Sequence, residues 1–230
     1  MALFVSSKMT VGLLWAADIG AISELQGNAQ VVRDKPLQAD LNLGIQSNDN
    51  VETTAGRLAI TFEDDSRVKL TEHSKLVIDE YIYDPNPDKT KMALNFASGT
   101  ARFITGGLGK INKQNIKLRT PTANIAIRGT DFTVTVDELG RSLVILLPDV
   151  NGISSGEIVV STGSGSVTLN KPFQSTTASM YERPPSSPAI LDLTIDLIDN
   201  MLIVTPPKEV EVVDESYNVV ESNPYLDFSG

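Results

Sequence analysis

Residues 116–135 read IKLRTPTANIAIRGTDFTVT, and this stretch decides the fold predicted for the chain. Ile116 and Leu118 alternate with polar residues, and Ile125 and Ile127 repeat the pattern after a short break. A period of two is typical of a strand with one buried face. The alternation resumes a third time before the stretch ends. The stretch therefore predicts three strands separated by two corners, with no room for a helix.

Two turn signals divide these strands. Proline cannot donate a hydrogen bond to a strand ladder and pushes the preceding residue toward extended geometry, so the Thr-Pro pair ends the first strand. Glycine tolerates backbone angles that other residues resist, so the Arg-Gly-Thr-Asp tetrapeptide forms the second corner. Its arginine and aspartate are expected to form a structural pair rather than a ligand site. The residues of this structural motif are Thr120, Pro121, Arg128, Gly129, Thr130, Asp131 and Phe132.

The rest of the chain also reads as short strands, separated by clusters of Asn, Asp, Gly and Pro that mark turns. Their regular spacing predicts an all-β barrel, sandwich or solenoid. The last two strands flank a Thr-Gly-Ser-Gly turn and form a hairpin candidate. The predicted strands are 31–32, 51–54, 58–62, 68–70, 76–83, 92–96, 143–147, 157–161 and 166–169.

The quoted stretch resembles the characteristic end of the FecR-like domain family, named for regulators of iron-dicitrate uptake. The resemblance rests on residues 120–123 and 127–132, preceded by matching strands and turns at 27–32, 49–54 and 58–66. Asp65 stands where the family has glycine, so that turn is expected to differ in type. The resemblance covers residues 22–137. It implies an all-β fold, a β-solenoid or barrel-like coiled sheet with a short β-rich C-terminal extension.

Four segments are predicted along the 230 residues. Residues 1–21 form an apolar N-terminal segment, either a retained strand or helix or a weak secretory signal. Residues 22–171 form the FecR-like β domain, and residues 172–188 a linker rich in Ser, Thr and Pro. Residues 189–230 form an acidic docking extension. Within it, residues 191–197 alternate cleanly and are predicted as a strand, although three aspartates spaced along one face also suit a helix.

The formal net charge is −10, which argues against nucleic acid as the main partner. Between residues 101 and 130, however, every charged side chain is basic. One interpretation is a surface that docks acidic protein segments, including the C-terminal extension. The other is a solvated edge whose charges prevent promiscuous strand pairing. The basic residues proposed for docking are Arg102, Lys110, Lys113, Lys117 and Arg119, and Arg128 lies close by.

A loop at residues 84–88 contains two prolines and two aspartates and follows the predicted strand 76–83. These residues cannot continue a ladder, so they predict a protruding, solvated tip. Tyr81 and Tyr83 before the tip are candidate aromatic anchors, since tyrosine combines apolar area with a polar group. A plain surface hairpin is the alternative interpretation.

The sequence offers little for catalysis. It contains no cysteine, and His73 is the one histidine, so thiol nucleophiles and multi-histidine metal sites are excluded. The glycine-rich residues 106–110 lack the spacing of a phosphate-binding loop, because Ile104 and Ile111 occupy the required glycine and hydroxyl positions. We therefore expect a non-enzymatic protein without a catalytic residue, cofactor or metal site.

The signalling members of the FecR-like family combine this domain with a sigma-factor-binding module, a membrane helix and a receptor-facing domain. The sequence predicts no transmembrane span and none of these modules. It therefore favours a structural module that docks with other protein subunits in a homo- or hetero-oligomer, such as a virion component of a capsid, neck or tail. The alternative is a secreted or periplasmic FecR-like sensing module that binds a protein or carbohydrate partner.

Overall fold

The computed structural model describes residues 17–84, 86, 88–111 and 115–202. Strands dominate these residues, and the two helices are short. The strands are β1 (Gly20–Val32), β2 (Pro36–Gln38), β3 (Gly44–Ile45), β4 (Asn50–Phe62), β5 (Arg67–Leu70), β6 (Lys75–Ile82), β7 (Lys91–Ile104), β8 (Ile116–Arg119), β9 (Asn124–Arg128), β10 (Asp131–Val136), β11 (Ser142–Leu146), β12 (Glu157–Thr162), β13 (Gly165–Leu169), β14 (Gln174–Ala178) and β15 (Ala189–Ile190). The helices are α1 (Gly107–Ile111) and α2 (Ile195–Leu202).

The strands belong to one sheet that coils into a closed, barrel-like arrangement. Its main path runs β13-β12-β9-β8-β7-β10-β11-β14-β15. Strand β4 pairs with β1, β5 and β6, and both β5 and β6 pair with β7. Among the described strands, every pairing is antiparallel except that of β7 with β8, which is parallel. The predicted all-β fold is confirmed.

The alternation that predicted the strands of residues 116–135 corresponds to burial in the structure. Ile116, Leu118, Ile125 and Ile127 all lie in the hydrophobic core. Phe132 is also buried, and its ring stacks on Phe103 with 5.1 Å between centroids. The hairpin of β12 and β13 is formed as predicted, with Thr162 opposite Gly165.

The turn that carries Asp65 has a backbone conformation that glycine adopts readily. Asp65 has a φ of 63°, in the left-handed region that glycine adopts most readily. Aspartate is among the few other residues that occupy this region readily. The expected change of turn type is therefore not needed to accommodate the aspartate.

The C-terminal part differs from the sequence prediction in two places. The predicted linker 172–188 contains β14, which pairs with β11 and so belongs to the main sheet. The predicted strand at residues 191–197 is wrong, because α2 begins at Ile195. The Thr194 hydroxyl accepts a hydrogen bond from the backbone N–H of Leu197 at 3.2 Å, which caps the helix. Ile198 is buried in a small cluster with Leu147.

Among the described residues, no helix has the length and apolar character needed to cross a membrane. The N-terminal residues 1–16 and the acidic residues 203–230 lie outside the described part of the chain. The predictions made for those two segments therefore stay predictions.

Candidate interaction groove

The Arg-Gly-Thr-Asp corner joins β9 to β10 and is held against the end of β7. Gly129 has a φ of 62°, which the corner requires and glycine supplies. The N–H of Thr130 donates to the Thr105 hydroxyl at 2.7 Å, and the N–H of Thr105 donates to the carbonyl of Thr130 at 3.1 Å. These two hydrogen bonds fix the corner relative to β7.

A groove of about 560 Å³ opens beside this corner, and we call it the corner groove. Glycines form part of its wall, and the loop between β11 and β12 and the start of α2 lie along it. Val150 on that loop is fully solvent-exposed. The groove is lined by Arg102, Ile104, Thr105, Gly106, Gly109, Gly129, Thr130, Asp131, Pro148, Asp149, Val150, Ser155 and Ile195. Ile153 on the same loop as Val150 is also exposed, and contiguous exposed apolar surface is typical of protein interaction sites.

The charged wall of the corner groove is an ion pair between Arg102 and Asp131. Nε and Nη2 of Arg102 donate to the two carboxylate oxygens of Asp131 at 2.9 and 2.6 Å. The side chains are only 13% and 17% exposed. The bidentate geometry is the strong form of this interaction. Arg102 is therefore committed to a structural pair and is not an open docking cation, which corrects the prediction made for it.

The predicted pairing of Arg128 with Asp131 is also wrong. Arg128 instead pairs with Glu157 of β12 at 2.5 Å. Strand register explains both ion pairs. Glu157 of β12 lies directly opposite Arg128 of β9, and Arg102 of β7 lies diagonally opposite Asp131 of β10. Opposite and diagonal neighbours on one face of a sheet are close enough for side-chain contact.

A buried carboxylate holds the glycine-rich loop against the neighbouring turn. Asp64 accepts hydrogen bonds from the Ser66 hydroxyl at 2.7 Å and the Leu108 N–H at 2.9 Å. The Gly106 N–H donates to the Ser66 hydroxyl at 2.8 Å. A Cβ on Gly106 would lie 2.1 Å from the Asp64 carbonyl oxygen, so the close approach requires glycine. We call this arrangement the Asp64 junction; it anchors the loop that lines the corner groove.

Tyr81 belongs to the Asp64 junction, so the prediction that it anchors a recognition loop is wrong. Its side chain is buried, its ring stacks on Phe62 at 5.3 Å, and its hydroxyl donates to Asp64 at 3.1 Å. Burial raises the pKa of Tyr81, and the nearby Asp64 carboxylate raises it further. The register shift between Ile78 and Glu80 turns Tyr81 inward. Tyr83 is 45% exposed and stays a candidate contact residue.

Tyr81→Phe is expected to lower the free energy of unfolding by about 1.5 kcal/mol, because it removes a hydrogen bond to a buried carboxylate. Urea unfolding followed by circular dichroism measures the change. Tyr83→Phe is the matched control and should change stability by less than about 0.5 kcal/mol, since its side chain is partly exposed. Equal losses in the two variants would contradict the role assigned to the Tyr81 hydroxyl.

Two of the predicted docking cations share one exposed face. Lys117 and Arg119 point outward from β8, and the registers place Ala93 of β7 and Ala126 of β9 beside Lys117. In the described part of the chain, neither cation forms an ion pair. Lys113 and the side chain of Lys110 lie outside the described residues. The basic docking surface therefore stays a proposal, reduced to Lys117 and Arg119 in the described structure.

His73 lies exposed in a turn with a φ of 55°. Within the described residues, no group of three or more histidine or acidic side chains is placed to hold a metal ion.

Comparison with known protein families shows which family the chain, with its corner, belongs to. Residues 49–168, more than half of the chain, match the family described as FecR protein. The chain belongs to the FecR family. The resemblance drawn from the sequence is confirmed. The residues of the FecR match include the Asp64 junction and the corner itself.

Solved structures give two similar folds for this FecR-family chain. Both are crystal structures of a candidate anti-sigma factor from Parabacteroides distasonis ATCC 8503, at 2.50 and 1.65 Å resolution. Each shares 14% sequence identity with the chain and has a TM-score of 0.44. The match covers 60% of this chain and 59% of the other, so the chain spans less than two thirds of that protein's length. No curated protein matches the sequence.

The prediction of a virion subunit is wrong. The FecR match points to a regulatory or sensing module, as the alternative interpretation had it, and not to a component of a capsid, neck or tail. The same finding leaves the predicted virion localisation without support. That prediction rested on the absence of the family's signalling modules and on complementary charges within the chain, and neither is specific to a virion.

Proposed function

We propose that this FecR-family chain is a regulatory or sensing module that recognises a protein partner in the periplasm and does not itself catalyse a reaction. The observation that carries the proposal is the FecR match over residues 49–168. The corner groove is the proposed contact site, because it lies at the family corner and has an exposed apolar rim.

The rim loop supports this assignment because it is held in one conformation. The Asp149 carboxylate accepts hydrogen bonds from the N–H groups of Asn151 at 2.8 Å and Ile153 at 3.1 Å. Slight desolvation would raise the pKa of Asp149, but these hydrogen bonds outweigh it and lower the pKa. Val150 and Ile153 are both exposed on this loop. A preorganised loop loses less conformational entropy on binding than one that must first be ordered.

The serine hydroxyl in the corner groove supports a non-catalytic role. The Ser155 hydroxyl donates to the Leu147 carbonyl at 2.7 Å and accepts from the Asp131 N–H at 3.0 Å. It therefore serves to hold the loop against β10. A nucleophilic serine would instead need a general base within hydrogen-bonding distance, and the Asp131 carboxylate is paired with Arg102.

Val150→Arg in the source organism is expected to reproduce the transcript changes caused by deleting the whole gene, because a bulky charge at the rim would block the partner. RNA sequencing of the variant, the deletion strain and the wild type measures this. Leu41→Arg is the matched control, since Leu41 is an exposed apolar residue on a turn outside the corner groove. Surface substitutions of this kind change stability little, so protein levels measured by immunoblot should stay equal.

The outcomes test the regulatory function and the position of the contact site separately. A deletion strain with unchanged transcripts would contradict the regulatory function. A deletion that changes transcripts, combined with a Val150→Arg variant that behaves like the wild type, would contradict the corner groove as the contact site.

A further inference from the structure

A second groove, of about 660 Å³, lies where the C-terminal part of the chain folds against the family sheet. One wall comes from β10, β11 and the turn between them, which lie within the FecR match. The other wall comes from β14 and residues 179–186, which lie beyond residue 168, where the match ends. We call it the extension groove. It is lined by Thr135, Asp137, Arg141, Leu143, Thr177, Ser179, Arg183, Pro184 and Ser186.

The extension groove keeps positive charge available in an acidic chain. Within the described residues, Arg183 forms no ion pair. Arg141 donates to Asp137 through Nε at 2.6 Å. Slight desolvation would raise the pKa of Asp137, but hydrogen bonds from the side chain and N–H of Arg141 outweigh it and lower the pKa. An arginine without a carboxylate partner in a chain of net charge −10 marks a place suited to an anion.

Hydroxyl groups supply the remaining polar character. The groove contains the hydroxyls of Thr135, Thr177, Ser179 and Ser186. The Ser186 hydroxyl accepts from the Thr177 N–H at 3.0 Å, which holds residues 179–186 against β14. Each hydroxyl can both donate and accept a hydrogen bond, as sugar hydroxyls do.

The backbone around the groove disfavours an extended peptide as the ligand. Strand β10 is paired with β7 and β11, and β11 is paired with β10 and β14. A peptide that binds by adding a strand needs an unpaired strand edge. The strands β10 and β11 offer none here, so recognition along that wall comes from side chains. The side chains that line the groove are two arginines, four hydroxyl-bearing residues, one aspartate, Leu143 and Pro184.

We propose that the extension groove binds a carboxylated sugar. Arg183 and Arg141 would bind the carboxylate, and the Ser and Thr hydroxyls would bind the sugar hydroxyls. The site is separate from the corner groove, and the inference does not rest on the regulatory function.

The test titrates tetragalacturonate into the full chain and measures affinity by calorimetry and contacts by NMR. Arg183→Gln is expected to weaken binding about tenfold or more, because it removes a charge-assisted hydrogen bond. Arg67→Gln, which changes an exposed arginine of β5 outside the groove, should bind as the wild type does. Arg183 is exposed, and an unchanged melting temperature would establish that its variant is folded.

Asp137→Asn tests the proposal by an expected increase in affinity. Asparagine keeps the Oδ1 that accepts from the N–H groups of Leu139 and Arg141, so the turn is retained. It removes the charge that competes for Arg141, so tetragalacturonate should bind about threefold or more tightly.

Four results would overturn the proposal: no saturable binding of tetragalacturonate, unchanged affinity in Arg183→Gln, equal binding of the neutral cellotetraose, or tighter binding of tetraglutamate at the same residues. The last result would identify an acidic peptide as the ligand.

Discussion

Asp64→Ala is expected to lower the free energy of unfolding by about 3 to 4 kcal/mol, because it removes the acceptor of the Asp64 junction while its donors stay buried. The Leu108 N–H, the Ser66 hydroxyl and the Tyr81 hydroxyl all donate to this carboxylate. Each buried donor left without an acceptor carries a desolvation cost that is not recovered on folding. Urea unfolding at equilibrium measures the loss.

Asp64→Asn separates the loss of the hydrogen-bond acceptor from the loss of side-chain volume. Asparagine has nearly the same shape but only one side-chain oxygen, so it keeps part of the acceptor capacity. We expect roughly half the destabilisation of the alanine variant. Asp65→Asn is the matched control, since Asp65 is exposed in the same turn and its φ of 63° suits asparagine. A loss in Asp64→Ala no larger than in Asp65→Asn would contradict the structural role of the junction.

The Asp64 junction also links stability to the corner groove. It holds Gly106, which lines that groove, against the turn of Asp64 and Ser66. Variants of the junction should therefore disturb partner recognition as well as stability. Val150→Arg, at the rim, should disturb recognition alone.

Arg33→Met is expected to lower the free energy of unfolding by about 3 kcal/mol, because it leaves the carboxylate of Asp49 buried without its partner. Asp49 is fully buried, and Nε and Nη2 of Arg33 each donate to one of its oxygens at 2.7 Å. Arg33 also donates to the Gly44 carbonyl at 3.0 Å. The hydrogen bond to Asp49 raises the pKa of Arg33; partial burial lowers this pKa, and the charge of Asp49 raises it.

A double-mutant cycle isolates the pair. Arg33→Met combined with Asp49→Asn should cost less than the sum of the two single changes, because the uncompensated charge is gone. Lys35→Met is the matched control, since Lys35 is exposed nearby and forms no ion pair among the described residues. Its effect should stay below about 0.5 kcal/mol. Additive losses in the cycle would show that the two side chains do not act together.

Local patterns predicted most of the strands, because burial alternates along a strand whatever its partner is. Ile125 and Ile127 face the core for this reason, and the hairpin of β12 and β13 follows from a short turn signal. The same reasoning failed at Tyr81, because a register shift in β6 reverses the alternation and leaves no clear mark in the sequence. It also failed at residues 191–197, where the apolar spacing suits a strand and the helix α2 equally.

The candidate sites depend on contacts between residues far apart in sequence, which local sequence patterns do not predict. The sequence predicted Arg102 as a docking cation and Arg128 as part of the corner, but their partners Asp131 and Glu157 were decided by strand register. The extension groove was missed altogether. Its arginines, Arg141 and Arg183, lie on segments far apart in sequence and line one groove only because β14 pairs with β11.

The sequence by itself determined the all-β class, most strand positions and the FecR resemblance, since these depend on residue spacing and turn chemistry within short stretches. Only the tertiary structure decided which charges are paired, which tyrosine is buried and where the grooves lie. Pairing between distant strands brings such groups together, and a side chain's environment is set by the residues across the sheet as much as by its neighbours along the chain.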